Sequence, residues 1–142
     1  PYVVCTGGEP ALQLDDELVS ALHRAGFEVA IETNGTLPLA SGIDWVCLSP
    51  KGESELVVIA CDERKLVYAQ ADAPPQRFDS IPAAHYYLQP MADYQPVVIS
   101  SDKLQGAADS LSSSNTHKAL HYCLKHPRWK LSLQTRKMIR IE

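Results

Sequence analysis

The sequence predicts an α/β chain built on a parallel sheet, and three observations carry that prediction. Short apolar runs suited to strands alternate with stretches whose apolar residues recur at helical spacing. Nearly every such run ends, on its C-terminal side, in a small polar cluster: TGGEP, ETNGT, SPK, YAQ, LQPM and LQTRK. The Asn34-Gly35 pair would ordinarily turn a hairpin, but no alternating partner strand follows it, so the hairpin is rejected. In a parallel (β/α) barrel or a doubly wound sheet, ligands sit at the carboxyl ends of the strands. The pattern therefore describes a parallel sheet with a binding site along one edge.

Taken in order, Tyr2 to Val4 reads as a buried strand. Asp15 or Asp16 then caps a helix on which Leu14, Leu18, Leu22 and Ala25 recur at helical spacing, and Gly26 closes it. Phe27 to Glu32 is the next strand, and Trp45 to Leu48 the one after, stopping at Ser49-Pro50-Lys51. Two more short strands fall at Lys65 to Tyr68 and His85 to Leu88, joined by a loop containing Pro74, Pro75 and Pro82. From Val97 to Ser114 the chain is polar and serine-rich without periodicity, which reads as a surface excursion. Asn115 or Thr116 caps a helix through Leu124 with Ala119, Leu120 and Cys123 on its apolar side, and Trp129 to Leu133 supplies a last strand.

Composition bounds what this sheet can serve. The 142 residues are 45% hydrophobic and 21% charged, within the range of one globular domain, taken as 1–142. A formal charge of −4, with basic residues scattered until the last dozen or so positions, offers no broad positive face and argues against nucleic acid. No apolar stretch approaches the roughly 18 residues that span a bilayer, and no charged-then-apolar leader is visible, so the expectation is a cytoplasmic protein with no membrane partner. The four cysteines, Cys5, Cys47, Cys61 and Cys123, lie far apart without a C-x-x-C pair and read as reduced thiols. Pro1-Tyr2 drops straight into a strand with no preceding cap or turn, which raises the expectation of a further segment upstream.

Each strand-end cluster has a chemical reading and a plain one. Gly7-Gly8 allows a tight turn and direct backbone contact with a ligand, and Glu9 beside it suits a cationic amine; equally, the word is a strand-to-helix turn with a solvated glutamate. Glu32, Asn34 and Gly35 match vicinal hydroxyls through carboxylate and amide, or form an Asx-type turn. Lys51 after Ser49-Pro50 suits a carboxylate, or is one more surface lysine. His117 and His121, with Cys123 and His126 near them, have a spacing open to a transition metal. The favoured reading places both histidines on the solvated side of an amphipathic helix, opposite Leu120 and Cys123.

Together and in this order, Thr6-Gly7-Gly8-Glu9-Pro10, Glu32-Thr33-Asn34-Gly35-Thr36 and Leu48-Ser49-Pro50-Lys51 resemble the S-adenosylmethionine-binding half of a radical SAM enzyme. KLVYAQ, YYLQPM and NTHKALHYCLKHPRWKLSLQT narrow the resemblance to the 7-carboxy-7-deazaguanine synthases, ring-contracting lyases of the queuosine and deazapurine pathway, over essentially the whole chain. The resemblance implies the C-terminal part of a partial (β/α) TIM-like barrel of radical SAM type. It implies S-adenosyl-L-methionine held by Gly7, Gly8, Glu9, Glu32, Asn34, Ser49 and Lys51, with Glu9 as countercharge to the methionyl amine. Thr6, Gln89, Gln134 and Thr135 would face the substrate, a pterin, whose alternating donors and acceptors suit amides. In the complete enzyme it implies a [4Fe–4S] cluster, Mg2+ and a flavodoxin- or ferredoxin-type reductant, a homodimer, and conversion of 6-carboxy-tetrahydropterin to 7-carboxy-7-deazaguanine.

Two features depart from the family pattern. The loop of three cysteines that holds the family's cluster lies upstream of the Gly-Gly-Glu word, where only four residues precede Cys5 here, so no metal ligands are assigned in this chain. Arg136 stands where the family usually has a histidine, and Arg140 where a glycine is common. The competing expectation is a truncated or degenerate nucleoside-binding domain that performs no chemistry.

Overall fold

The computed structural model describes residues 1–92 and 114–134. Six strands form a single sheet: β1 (Tyr2–Cys5), β2 (Glu28–Thr33), β3 (Trp45–Leu48), β4 (Cys61–Tyr68), β5 (Ala83–Pro90) and β6 (Trp129–Leu131). They lie side by side in chain order, and every pair is parallel. A doubly wound sheet reverses its strand order at a switch point, whereas a barrel wall runs on in sequence. The order β1 to β6 is therefore that of a partial barrel, and β1 and β6 each pair on one side only among the described residues.

Alternation along each strand gives the sheet two unlike faces. One carries Val29, Ile31, Thr33, Leu48, Arg64, Leu66, Leu88 and Trp129, all buried. Leu14 and helix α1 (Asp16–Arg24), through Val19 and Leu22, cover its β2 side, and helix α2 (Asn115–Lys125) covers the β4 to β6 side. The turn of 3-10 helix at Pro75–Phe78 brings Pro75 and Phe78 into the same core, so the proline-rich loop is a packed element. The register places Glu32, Cys47, Glu63 and His85 side by side on the other face, with Lys65 and Tyr87 one step nearer the C-terminal edge.

The helices differ from expectation in which leucines face inward. Asp15 caps α1, its carboxylate accepting from Leu18 N–H at 2.8 Å, and Val19 packs inward while Leu18 is 46% exposed. On α2, capped by Ser114, the inward stripe is Ala119, Tyr122 and Cys123, spaced by three and four; Leu120 and Leu124 are exposed. A fully buried alanine lets the helix lie close on the sheet, a position the larger leucine does not fill.

Strand β4 begins four residues earlier than the apolar word KLVY because its charges have partners. The Asp62 carboxylate accepts from Val46 N–H at 2.8 Å, and Glu63 lies on the polar face. Arg64, fully buried, donates to Ile81 O at 3.1 Å and lies over the rings of Tyr86 and Trp129, 4.7 and 5.3 Å from their centroids. Asp79 approaches its guanidinium at 3.6 Å and also pairs with Arg128. Strand β5 likewise extends beyond HYYL to Ala83–Pro90, and β6 stops at Leu131. The expected excursion from Val97 falls, Ser114 apart, outside the described residues.

Two glycines test how tightly this frame is built. Gly26 and Gly35 both have left-handed backbone, φ +85° and +81°, but a Cβ at Gly26 meets nothing within 4 Å, while one at Gly35 would lie 2.4 Å from the Leu48 methyl. Leu48 is fully buried and has no room to yield. Urea denaturation should show Gly26→Ala losing about 1 to 2 kcal/mol, the conformational cost alone. Gly35→Ala should lose about 2 to 5 kcal/mol, because overpacking adds to that cost. Equal losses would contradict the packing assigned to Gly35.

Candidate functional site

The polar words collect at the C-terminal edge, and the Glu9 carboxylate ties two of them together. Its Oε1 accepts from Ala11 N–H at 3.1 Å, capping the single 3-10 turn at Pro10–Leu12, and from the Thr33 hydroxyl at 2.7 Å. Its Oε2 accepts from Asn34 N–H at 2.7 Å. The Thr33 hydroxyl oxygen in turn accepts from Gly35 N–H at 3.0 Å. Three protein donors therefore engage a side chain that sequence reasoning reserved for a ligand, and the loop after β1 is fixed to the end of β2.

The next word makes the turn that its composition allowed. The Asn34 side-chain oxygen accepts from Thr36 N–H at 2.9 Å and from the Thr36 hydroxyl at 2.7 Å, an Asx turn. Its side-chain carbonyl is thus spent within the chain. The Gly35 carbonyl accepts from Val57 and Val58 N–H at 2.8 and 3.1 Å, so this glycine is structural.

Glu32 is held from two sides. Lys65 Nζ on β4 donates to its Oε1 at 2.6 Å, and the Thr6 hydroxyl donates to Oε2 at 3.3 Å. Desolvation, the largest single influence, acts to lower the Lys65 pKa, but the hydrogen bond to Glu32 and the neighbouring Cys47, Glu32 and Glu63 together outweigh it and leave the ammonium above its ordinary value. Beside this pair, the Cys47 thiol donates to Glu63 Oε1 at 3.4 Å, and burial pushes its pKa up to about 12. His85 stacks on Trp45 with centroids 5.5 Å apart. Lys65 and Glu63 escaped sequence reasoning because each sits inside a strand; only the register with Glu32 and Cys47, two strands and one strand away, reveals them.

Gly7 and Gly8 are exposed, and their surroundings are open: a Cβ on either meets nothing within 4 Å. Gly7 has φ +130°, which explains its identity, whereas Gly8 has no left-handed backbone. The local fold does not require a glycine at position 8. Ser49 ends β3 with its N–H on Thr33 O at 2.8 Å, and Lys51 is exposed with no ion-pair partner among the described residues. Gln89 shares the polar face of β5 by register with Val67, and Gln134 follows β6, partly buried. Gln70, just past β4, has a buried side-chain oxygen without a partner among the described residues. Thr135, Arg136 and Arg140 lie outside the described residues.

The four thiols are free and stand on four elements: β1, β3, β4 and α2. Among the described residues no group of three His, Cys, Asp or Glu side chains converges as for a metal. His117 and His121 are exposed, their rings stacked at 6.4 Å, while Cys123 packs in the core and His126 stacks on Tyr122. No helix among the described residues is long and apolar enough to cross a membrane.

No protein-family model matches the chain. Curated proteins named 7-carboxy-7-deazaguanine synthase do: that of Bordetella pertussis is 51% identical over 140 residues, that of Bradyrhizobium diazoefficiens 48% over 140, and that of Caulobacter vibrioides 44% over 137. These matches cover 99%, 99% and 96% of this chain. Over nearly all of its length the chain is therefore similar to the 7-carboxy-7-deazaguanine synthases. It spans 58 to 59% of the length of these three synthases. The crystal structure of QueE from Escherichia coli superposes with a TM-score of 0.64, covering 94% of this chain and 56% of that one at 22% identity, a likeness of fold that agrees with the sequential parallel sheet.

The bonding of Glu9 and Cys47 sets two expectations that hold for the unliganded chain. Glu9→Gln replaces a two-oxygen acceptor of three donors by an amide with one oxygen, and should lower stability by about 1 to 3 kcal/mol in urea denaturation. An unchanged midpoint would mean that the carboxylate does not fix the loop. For Cys47 the unfolded thiol ionises near its ordinary value of 9.0 and the folded one only near 12, so the unfolded state loses protons first as pH rises. Stability should fall from about pH 9 upward, less steeply in Cys47→Ala. The same shift should leave Cys47 unalkylated by iodoacetamide at pH 8 until denaturant is added.

Proposed function

We propose that this chain is the S-adenosylmethionine-binding portion of a 7-carboxy-7-deazaguanine synthase, a radical SAM lyase acting on 6-carboxy-tetrahydropterin. The observation that carries the reading is Gly8: exposed at the C-terminal edge, with ordinary backbone and open space where a side chain would go, it is a glycine that the fold leaves unexplained. Close approach of a ligand to the backbone accounts for it. The chemistry of the donor set around it suits the ligand. Main-chain groups of Gly7 and Gly8 would meet the methionyl end, Glu32 and the Asn34 amide the ribose, and Ser49 and Lys51 the carboxylate side. Glu9 acts mainly through the loop it fixes, with any remaining acceptor site directed at the ammonium.

Thr6 and Gln89, both by register on the polar face or at its end, and Gln134 and Thr135 in the last word are the proposed substrate contacts. Amide and hydroxyl groups there would pair the donor and acceptor edge of a pterin and leave polar atoms unpaired against a wrong ring. S-adenosylmethionine supplies, when cleaved at a reduced [4Fe–4S] cluster, the radical that abstracts hydrogen. The cluster does not fit the thiols of this chain, which stand on four separate elements, so its ligands and the reduction step belong to sequence outside it. Mg2+, an electron-transfer partner of flavodoxin or ferredoxin type, a homodimer and a cytoplasmic setting complete the reading.

Gly8→Val provides the test. In calorimetric titration with S-adenosyl-L-homocysteine, binding should be lost, while the circular dichroism spectrum and melting temperature stay close to those of the parent, since the space around Gly8 is free. Retained binding would remove the argument for a ligand at this loop. Collapse of the fold would return Gly8 to the role of a turn residue.

A further inference from the structure

We propose that Lys65 is a positioning residue for the ligand-facing carboxylate: it fixes Glu32 and takes up its charge, so that Glu32 receives the neutral hydroxyls of a ribose and not a cationic group. This rests on the reading of the strand edge as an S-adenosylmethionine site.

Glu32 and Lys65 stand on strands that are not neighbours. Strand β3 lies between them, and its residues of the same parity, Cys47 and Ser49, are small. The lysine stem can pass over them to place Nζ 2.6 Å from Glu32 Oε1. The other oxygen takes the Thr6 hydroxyl at 3.3 Å, so donors from both sides of β2 hold the carboxylate. An ionised carboxylate has about four acceptor sites, and these two donors leave about two for a vicinal diol.

The Lys65 side chain is 18% exposed and that of Glu32 39%, so the pair is open to solvent on the Glu32 side, where a ligand would come. A pair so placed adds little to folding in general. Its clearer effect is orientation, because an unpaired glutamate side chain rotates freely and loses that freedom on binding. Charge sorts the ligand groups too. A second cation on Glu32 would sit within a few ångströms of the Lys65 ammonium and be repelled, whereas a hydroxyl is not. Glu32 and Glu9 thus divide the ligand: the first is balanced by Lys65, and the second lacks a cationic partner among the described residues.

The experiment uses the full-length gene product that carries this chain and two probes, S-adenosyl-L-homocysteine and its 2′,3′-dideoxy analogue, titrated by calorimetry. The parent should prefer the diol-bearing probe by about tenfold or more. Lys65→Met should lose about tenfold in affinity for S-adenosyl-L-homocysteine and less than about twofold for the analogue, erasing the preference, and Lys65→Arg should restore most of it. Should Lys65→Met fail to melt cooperatively, Lys65→Gln takes its place. A preference unchanged in the neutral variants overturns the proposal, as does an equal loss for both probes, which would mark a general structural role. If the parent binds neither probe, the cofactor-site reading itself fails and this inference with it; a parent that binds both while the variants keep its preference refutes the Lys65 role alone.

Discussion

The C-terminal edge of the sheet depends on one carboxylate, that of Glu9. Without Glu9, the loop after β1 would be tied to the end of β2 only by the longer bond from the Thr6 hydroxyl to Glu32, 3.3 Å, and not to the turn that follows. With it, an amide of the turn after β2, a hydroxyl of β2 and an amide of the turn after β1 converge on two oxygen atoms. The same residue caps the 3-10 turn that leads toward α1, so the path of the chain and the shape of the site are set together. Gly7 and Gly8 then need supply no rigidity of their own, and their exposed main-chain groups can be approached closely.

The sheet keeps apolar and ionisable residues largely on opposite faces, and the charge carried into the core at Arg64 is only partly answered, its Nε and Nη2 lacking a hydrogen-bond partner among the described residues. Arg64 is the extreme case: desolvation lowers its pKa, while Tyr86, Trp129, Ile81 O and Asp79 surround it. Near the opposite ends of the strands, Asp44 and Asp62 each take an N–H of a neighbouring strand, Val29 and Val46, at 2.8 Å. For Asp44 that bond, helped by His23, holds the carboxyl below its ordinary value. Acidic residues thus secure both ends of the sheet, Asp44 and Asp62 at one and Glu9 at the other.

How much of this was legible in the sequence follows from what each signal measures. Strand-end clusters and the refused hairpin at Asn34-Gly35 gave the parallel sheet, since both depend on local chemistry that survives in one dimension. They left barrel and doubly wound order open, because strand order is a property of pairing between distant segments. The words around Gly7, Glu32 and Ser49 were found and do come to one edge. The partners of Glu9 and Glu32 were not found: Thr33 and Lys65 lie 24 and 33 positions from them, and no spacing rule spans such a distance. The charged start of β4 was missed for a related reason, since CDER reads as a loop until Asp62, Glu63 and Arg64 are seen to have partners on β3, β5 and the loop before β5.

Charge on the polar face completes the argument for what it suits. Glu32, Glu63 and Lys65 carry formal charges of −1, −1 and +1, and burial keeps the Cys47 thiol neutral, a donor to Glu63. The row therefore holds one negative charge beyond what its own lysine cancels. Glu32 is balanced at 2.6 Å by Lys65, so the excess belongs to the Glu63 end of the row, two strands farther along the sheet and next to His85. The uncancelled charge thus lies beside His85 and away from the pair of Glu32 and Lys65.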